Sequence, residues 1–232
     1  LNGIMERWPR WGFWLSYKRL RAQGHGWNHK RVWRVYRAMK LNLPRRKKRS
    51  LPTRERQPLD TVPMPDVGWA LDFMHDTLYC GKRSRTLNVL DEGVRECLAI
   101  EVDTSLPAAR VVRVLDRIKE WRGTPDWLRA DNGPELIAAD LVAWCEENDV
   151  ELRHIQPGKP NQNAFIERLN KTFRNEVLDA YLFESLGQVR EIAWWWMIDY
   201  NEERPHGSLG DLPPTLFRKK VTAGNSSNAV ST

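Results

Sequence analysis

Three carboxylates carry the chemistry that this sequence offers. Asp72 lies in the apolar run Trp69-Ala70-Leu71-Asp72-Phe73, Asp131 follows Leu128-Arg129-Ala130, and Glu167 follows Ala164-Phe165-Ile166. The first two segments read as buried strands and the third as a helix. A carboxylate at the end of a buried strand is costly unless something pairs with it. Three that converge repel one another without a cation. Hard divalent ions take oxygen ligands, and a two-ion site clamps both the attacking and the leaving oxygen of a phosphodiester. The three residues together point to metal-dependent phosphoryl transfer on nucleic acid.

The elements that must position them follow from periodicity. Trp69 to Tyr79, Thr86 to Leu90 and Cys97 to Val102 read as three strands joined by turns at Tyr79-Cys80-Gly81-Lys82 and Asp91-Glu92-Gly93. Pro107 opens a helix with Val111, Val112, Val114, Leu115 and Ile118 on its apolar side. Trp127 to Ala130 is a short strand running into Asp131. Glu135 to Asn148 is a helix with Leu136, Leu141 and Trp144 inward, and Glu151 to Ile155 is the last strand. A loop, Gln156-Pro157-Gly158-Lys159-Pro160-Asn161-Gln162, precedes a long helix from Asn163 to Tyr181, and another helix runs from Leu186 to Asn201. Three strands followed by helix–strand–helix–strand is a mixed α/β order.

Ahead of this body the chain is different. Residues 1–60 hold 17 Lys and Arg against 3 Asp and Glu, a net of +14, whereas residues 61–232 are at −7. Residues 10–41 read as two helices around Gly24-His25-Gly26. Asn28 is a plausible N-cap, Val32, Val35, Tyr36 and Met39 form one helical face, and Lys30, Arg31, Arg34 and Arg37 form the other. That pattern fits a helix-turn-helix-like DNA-binding module over residues 1–43. Arg45-Arg46-Lys47-Lys48-Arg49 and the prolines to Pro65 make residues 44–66 a basic linker suited to a phosphate backbone. Residues 67–221 form the catalytic body, and 222–232, small and polar, read as a disordered tail.

Bulk composition excludes other classes. With 41% apolar residues the chain can bury a core, but no run approaches the roughly 18 apolar residues of a membrane span. The start has no secretory signal. Cys80, Cys97 and Cys145 are scattered and odd in number, which fits a reducing cytoplasm and neither a disulfide framework nor a zinc site. His25 and His29 lack the cysteine pair that zinc would need.

These blocks together resemble the DDE transposase and retroviral-integrase superfamily, and most closely the catalytic (OrfB) reading frame of insertion-sequence transposases of the IS-three family. The resemblance runs from Arg10 to Phe217. It rests on the 35 residues between Asp131 and Glu167, on Asp131-Asn132-Gly133-Pro134-Glu135, Pro157-Gly158-Lys159-Pro160, Gln162-Asn163 and Ile166-Glu167, on Arg174 seven positions after the glutamate, and on Tyr200-Asn201-x-x-Arg204-Pro205-His206. It implies an RNase H-like five-stranded sheet flanked by helices, with Asp72 on the first strand, Asp131 after the fourth and Glu167 on the following helix. It implies that Asp72, Asp131 and Glu167 hold two Mg²⁺ or Mn²⁺ ions and are the catalytic residues of DNA strand cleavage and strand transfer. The implied partners are DNA at element ends and target, a second copy of the chain on DNA, and the product of an upstream reading frame as fusion or partner. A bacterial cytoplasmic location, on the nucleoid when DNA is bound, is implied too. The alternatives are an RNase H-like nuclease or a non-transposing DNA-binding remnant.

Further residues join the DNA-binding set. Asn163, Lys171 and Arg174 fall at i−4, i+4 and i+7 from Glu167 and share its face. Read alone, that is an ordinary salt-bridged surface; beside the two aspartates it suits a phosphate-bearing substrate, as does Lys159. Asp76, Asp91 and Glu92 read as turn or surface acids, although Asp91 could approach the triad. Glu135 reads as the start of its helix, where negative charge is favoured. Trp194-Trp195-Trp196 reads as core and interface, and Tyr200, Arg204 and His206 as a lock on the last helix. Val94 and Leu136 depart from the family's usual residues without removing a ligand. A leucine at position 1 reads as a fragment or as the downstream frame of a frameshifted gene.

Overall fold

The computed structural model describes residues 1–43, 62–156 and 160–229. The basic run Arg45, Arg46, Lys47, Lys48 and Arg49, and Lys159, lie outside the described residues.

Three helices open the chain: α1 (Asn2–Arg7), α2 (Phe13–Ala22) and α3 (His29–Ala38). The two helices expected over residues 10–41 are α2 and α3; α1 precedes that range, has only six residues and is held by the buried Ile4. Asn28 caps α3 as expected, accepting the Lys30 N–H at 2.9 Å. The apolar face of α3 is narrower than its period suggests. Val32 and Tyr36 are buried, but Val35 is largely exposed, because α2 covers only one side of the helix. Gly24, at φ +88°, makes the turn between α2 and α3 in a conformation open to glycine.

This module is docked on the body through charge. Arg7 pairs with Asp199 at 2.5 Å, Lys18 with Asp211 and Arg19 with Glu203. The Trp8 indole N–H donates to Asp199 at 3.0 Å, and the Arg204 guanidinium lies 5.6 Å from the Trp11 ring centre.

The body is built on β1 (Gly68–Thr77), β2 (Arg83–Asp91), β3 (Cys97–Asp103), β4 (Trp127–Ala130) and β5 (Glu151–His154), in the order β3-β2-β1-β4-β5. β1, β2 and β3 are antiparallel neighbours, and β4 and β5 run parallel to β1. Strand alternation sends Trp69 and Leu71 to one face and Ala70 and Met74 to the other. The first face packs on α4 (Ala108–Arg122) and α5 (Ala139–Glu147). The second packs on α6 (Ala164–Phe173), which continues as a π-helical turn through Arg174–Leu178, and on α7 (Leu186–Glu202). Gly68 lets β4 come close: a Cβ there would lie 2.0 Å from the Trp127 ring.

Two further element boundaries differ from expectation. Glu135 is not in α5. Leu136 and Ile137 donate their N–H groups to the Gly133 carbonyl in an isolated turn, and Ala138, in extended backbone, starts the helix anew. Leu136 is fully buried, so this turn serves as a plug in the core. The tail expected to be disordered from residue 222 is instead helical to Ala229, because α8 (Pro214–Ala229) starts at a proline suited to a first helical turn and continues through it. Among the described residues, no helix is long and apolar enough to cross a membrane.

Candidate active site

Asp72 lies on the α6 face of β1, between Ala70 and Met74. The parallel ladder pairs Ala70 with Arg129, and two residues further along it stand Asp72 and Asp131. Asp72, in the middle of β1, and Asp131, just past the end of β4, thus come level on adjacent parallel strands although 58 residues lie between them. Ile166, Leu169 and Phe173 bury one side of α6. That packing leaves Glu167, an exposed residue, at the rim of the same face.

Hydrogen bonds orient each aspartate. Asp72 Oδ1 accepts the Phe73 N–H at 2.8 Å, and Oδ2 accepts the Asn170 side-chain amide at 2.7 Å. Asn170 Oδ1 in turn accepts the Asn88 side-chain amide at 2.6 Å. Asn88 stands directly across from Asp72 on β2 and is fully buried. Asp131 Oδ1 accepts the Gly133 N–H at 2.9 Å, closing the loop after β4. Asn132 ties that loop to β5 by donating to the Ile155 carbonyl at 3.1 Å.

Burial pushes the Asp72 carboxyl up to about 6; Asp131 and Glu167 push it in the same direction, against the pull of its two hydrogen bonds. Asp131 and Glu167 thus each repel the charged form of Asp72. As their side chains stand, no three His, Cys, Asp or Glu groups among the described residues close around an ion. The donor set nonetheless fits a hard divalent cation. It is all oxygen, it has excess negative charge, and no Lys or Arg among the described residues forms an ion pair with it.

The other candidates divide. Lys171 is exposed beside Glu167. Arg174 donates to the His75 carbonyl at 2.7 Å and lies 3.9 Å from both Asp76 and Asp179, so part of its charge is engaged. Asn163 does not share the open face: it is buried, in the turn before α6. Lys30, Arg31 and Arg34 are exposed on α3.

Asp91 and Glu92 are not surface acids. Both are buried. Arg122 binds Asp66, Glu96 and Asp91 at 2.7, 2.8 and 3.1 Å, and Arg129 lies 3.1 Å from Glu92. Burial pushes Asp91 up to about 6 and Glu92 up to about 7 against these cations. Asp91 stands opposite Trp69, three residues along β1 from Asp72, and accepts the N–H groups of Asp66, Gly93 and Val94. It fastens the chain entering β1 and does not join the triad. Glu135 pairs with Arg85, not with a helix start.

Of the three successive tryptophans only Trp196 is core, donating to Glu176 at 2.9 Å; Trp194 and Trp195 are exposed. Tyr200 is buried with its ring edge-on to His206 at 4.7 Å, and Arg204 pairs with Glu176. Asn88 and Asn170 are the residues that sequence reasoning missed. Their signal is one amide on the inward face of α6 and another on a strand of otherwise apolar neighbours.

Comparison with known proteins bears on the family and the fold. Integrase core domain models match residues 62–160 and 148–214. An insertion element IS407 uncharacterized 31.7 kDa protein of Burkholderia multivorans is 40% identical over 90% of this chain and 77% of its own length. An insertion element IS476 uncharacterized 39.2 kDa protein of Xanthomonas euvesicatoria is 38% identical over 95% of this chain. The chain spans 64% of that relative's length. Among solved structures, the HTLV-2 integrase catalytic core domain in complex with magnesium, in its trimeric form, has TM-score 0.54 and 14% identity, covering 68% of this chain and 99% of that one. The catalytic core domain of BIV integrase has TM-score 0.53 and 16% identity, covering 69% and 99%. These two share the fold, a mixed five-stranded RNase H-like sheet flanked by helices.

Proposed function

Because the chain belongs to the integrase-core family that insertion elements carry, we propose that it cuts and joins DNA strands, with Asp72, Asp131 and Glu167 as the catalytic residues. The observation that supports this most is the placement of Asp72 on β1 level with Asp131 just past the adjacent parallel β4, with Glu167 on the helix that covers that face and both acids raising the Asp72 carboxyl. Two Mg²⁺ or Mn²⁺ ions bound there would activate a water or a DNA 3′-hydroxyl and neutralise the leaving oxygen. Asp72 is held by Asn170 and Phe73 so that its carboxylate keeps one orientation toward Asp131. Asp131 is held by the loop that Gly133 and Asn132 close. Glu167 stays at the solvent edge, where substrate can reach it. Lys171 and Arg174 would contact DNA phosphates near the site, and Lys30, Arg31 and Arg34 would bind DNA further out. Lys159 and the Arg45, Arg46, Lys47, Lys48 and Arg49 run would bind DNA as well. The DNA partners are element ends and target, held by more than one copy of the chain and with an upstream-frame product as fusion or partner. The chain would act at the nucleoid.

The test is a strand-transfer assay with a pre-cleaved terminal DNA end and Mg²⁺ or Mn²⁺. Joined product is expected from the chain and none from Asp131→Asn, which keeps shape but not charge. Asp72→Asn and Glu167→Gln should behave alike and non-additively with it, since each breaks one site. Hydrolysis without joining would favour a nuclease, and full joining by Asp131→Asn would remove the triad.

A further inference from the structure

Between α2 and α3 lies an open cleft of about 680 Å³ lined by Phe13, Trp14, His29, Lys30, Trp33 and Arg34. α3 presents two parallel stripes to it. His29 and Trp33, one turn apart, make an aromatic stripe, and Lys30 and Arg34 a cationic stripe beside it. Across the cleft the Trp14 ring lies 5.9 Å from His29, and Phe13 packs edge-on to Trp33 at 4.8 Å. Trp14 is 59% exposed and Trp33 39%. The core of the module is made elsewhere, by Ile4, Trp11, Leu20 and Val32. The exposed faces of these two indoles, gathered in one cleft with cations beside them, are open to an occupant.

Charge decides the class of occupant. Residues 1–43 contain one acid, Glu6. Arg7, Lys18 and Arg19 are paired with acids of the body, while Lys30 and Arg34 have no ion pair among the described residues. The occupant must offer a flat π-face and anionic groups together. A nucleobase with its phosphates does both, and stacking on an aromatic side chain requires that the base be out of its duplex stack.

We propose that this cleft binds an unpaired base of DNA, stacked on Trp14 and Trp33, with Lys30 and Arg34 on the flanking phosphates. The proposal rests on the DNA substrate of the proposed function and narrows it: the amino-terminal module holds single-stranded or unstacked DNA as well as duplex. Fluorescence anisotropy on the full chain, with a labelled oligothymidine and a blunt duplex of equal length, tests it. Trp14→Ala should weaken oligothymidine binding roughly 5- to 150-fold, the range for removal of one stacked base, and leave duplex binding nearly unchanged. Trp14 is exposed enough that its loss should not unfold α2, and Trp14→Phe should restore most of the affinity. Adding Trp33→Ala should deepen the loss. Unchanged oligothymidine binding, equal losses on both DNAs, or displacement of the oligonucleotide by oligoglutamate at like concentration would each overturn the proposal. If the cleft variants are silent but duplex binding and strand transfer persist, the cleft alone fails. If neither DNA binds at all, the DNA function falls with it.

Discussion

Asn170 fixes the carboxylate of Asp72 from the helix side, and Asn88 fixes Asn170 from the sheet. Replacing Asn170 with Ala frees Asp72 Oδ2 and leaves the buried Asn88 amide with only the weak Met74 sulfur as acceptor, at about 1–3 kcal/mol of stability. Loss of a residue that orients a metal ligand typically costs 10–100-fold in affinity. Titration of Asn170→Ala with Mn²⁺ should show a loss of about that size, with strand transfer partly restored by excess ion; unchanged Mn²⁺ affinity would make the Asn170–Asp72 hydrogen bond purely structural. The Asp72 carboxyl also sets a pH dependence. Its value is raised from 3.8 to about 6 in the folded chain, so the folded state holds the proton more tightly than the unfolded state. This group therefore favours folding at acid pH and works against it as pH rises through about 6. Mg²⁺ bound at the proposed site would offset that penalty where the carboxylate is charged. The Mg²⁺-induced rise in Tm should be larger at pH 8 than at pH 5, by about 2–4 °C for each kcal/mol of repulsion relieved. An equal rise at both pH values would count against ion binding at Asp72. Asp72, Asp131 and Glu167 could be singled out in the sequence because charge inside an apolar run is conspicuous. Asn88 and Asn170 could not, since an amide is neutral and its role depends on what lies opposite.

Strands were legible within about three residues, because a side chain alternates between faces at every step and a slip exposes the whole core face. The helices were less so. Glu135 to Ala138 look helical by composition, yet Leu136 is drawn into the core and Glu135 to Arg85, and the turn they form ends before α5 begins. Asp91 and Glu92 look like turn acids, since nothing in the sequence shows that Arg122 and Arg129 reach them. The Arg122 network is an element-level clamp: it joins the chain entering β1, the β2–β3 turn and the end of α4. Arg122→Met should leave Asp66 and the buried Asp91 without their cation and Glu96 with Arg218 alone, and cost about 3–5 kcal/mol, the range for breaking a buried pair. Urea denaturation measures this. Mg²⁺ affinity of the folded variant should be unchanged, because Asp91 does not belong to the triad; a Mg²⁺ affinity that falls in parallel would contradict that separation.

The whole molecule places a basic module on an acidic face of its own body. The +14 of residues 1–60 does not all face outward, because Arg7, Lys18 and Arg19 are matched by Asp199, Asp211 and Glu203. No reading of the sequence alone separates these cations from those of α3, since pairing of this kind depends on the docking of two distant segments. Changing Lys30, Arg31 and Arg34 together to Gln should flatten the slope of log K against log salt on duplex DNA by up to about 0.9 for each phosphate that is no longer neutralised. Changing Arg7, Lys18 and Arg19 to Gln should leave that slope nearly unchanged while lowering Tm. Equal effects on the slope would mean that DNA reaches both sets.

The convergence of Asp72, Asp131 and Glu167 on a metal pair is tested most directly by anomalous diffraction from Mn²⁺-soaked crystals of the chain. Two peaks about 3.5–4 Å apart, bounded by these three carboxylates and absent in Asp131→Asn, are the expected result. Mn²⁺ bound elsewhere, or Glu167 turned away from the two aspartates with the ions in place, would contradict it.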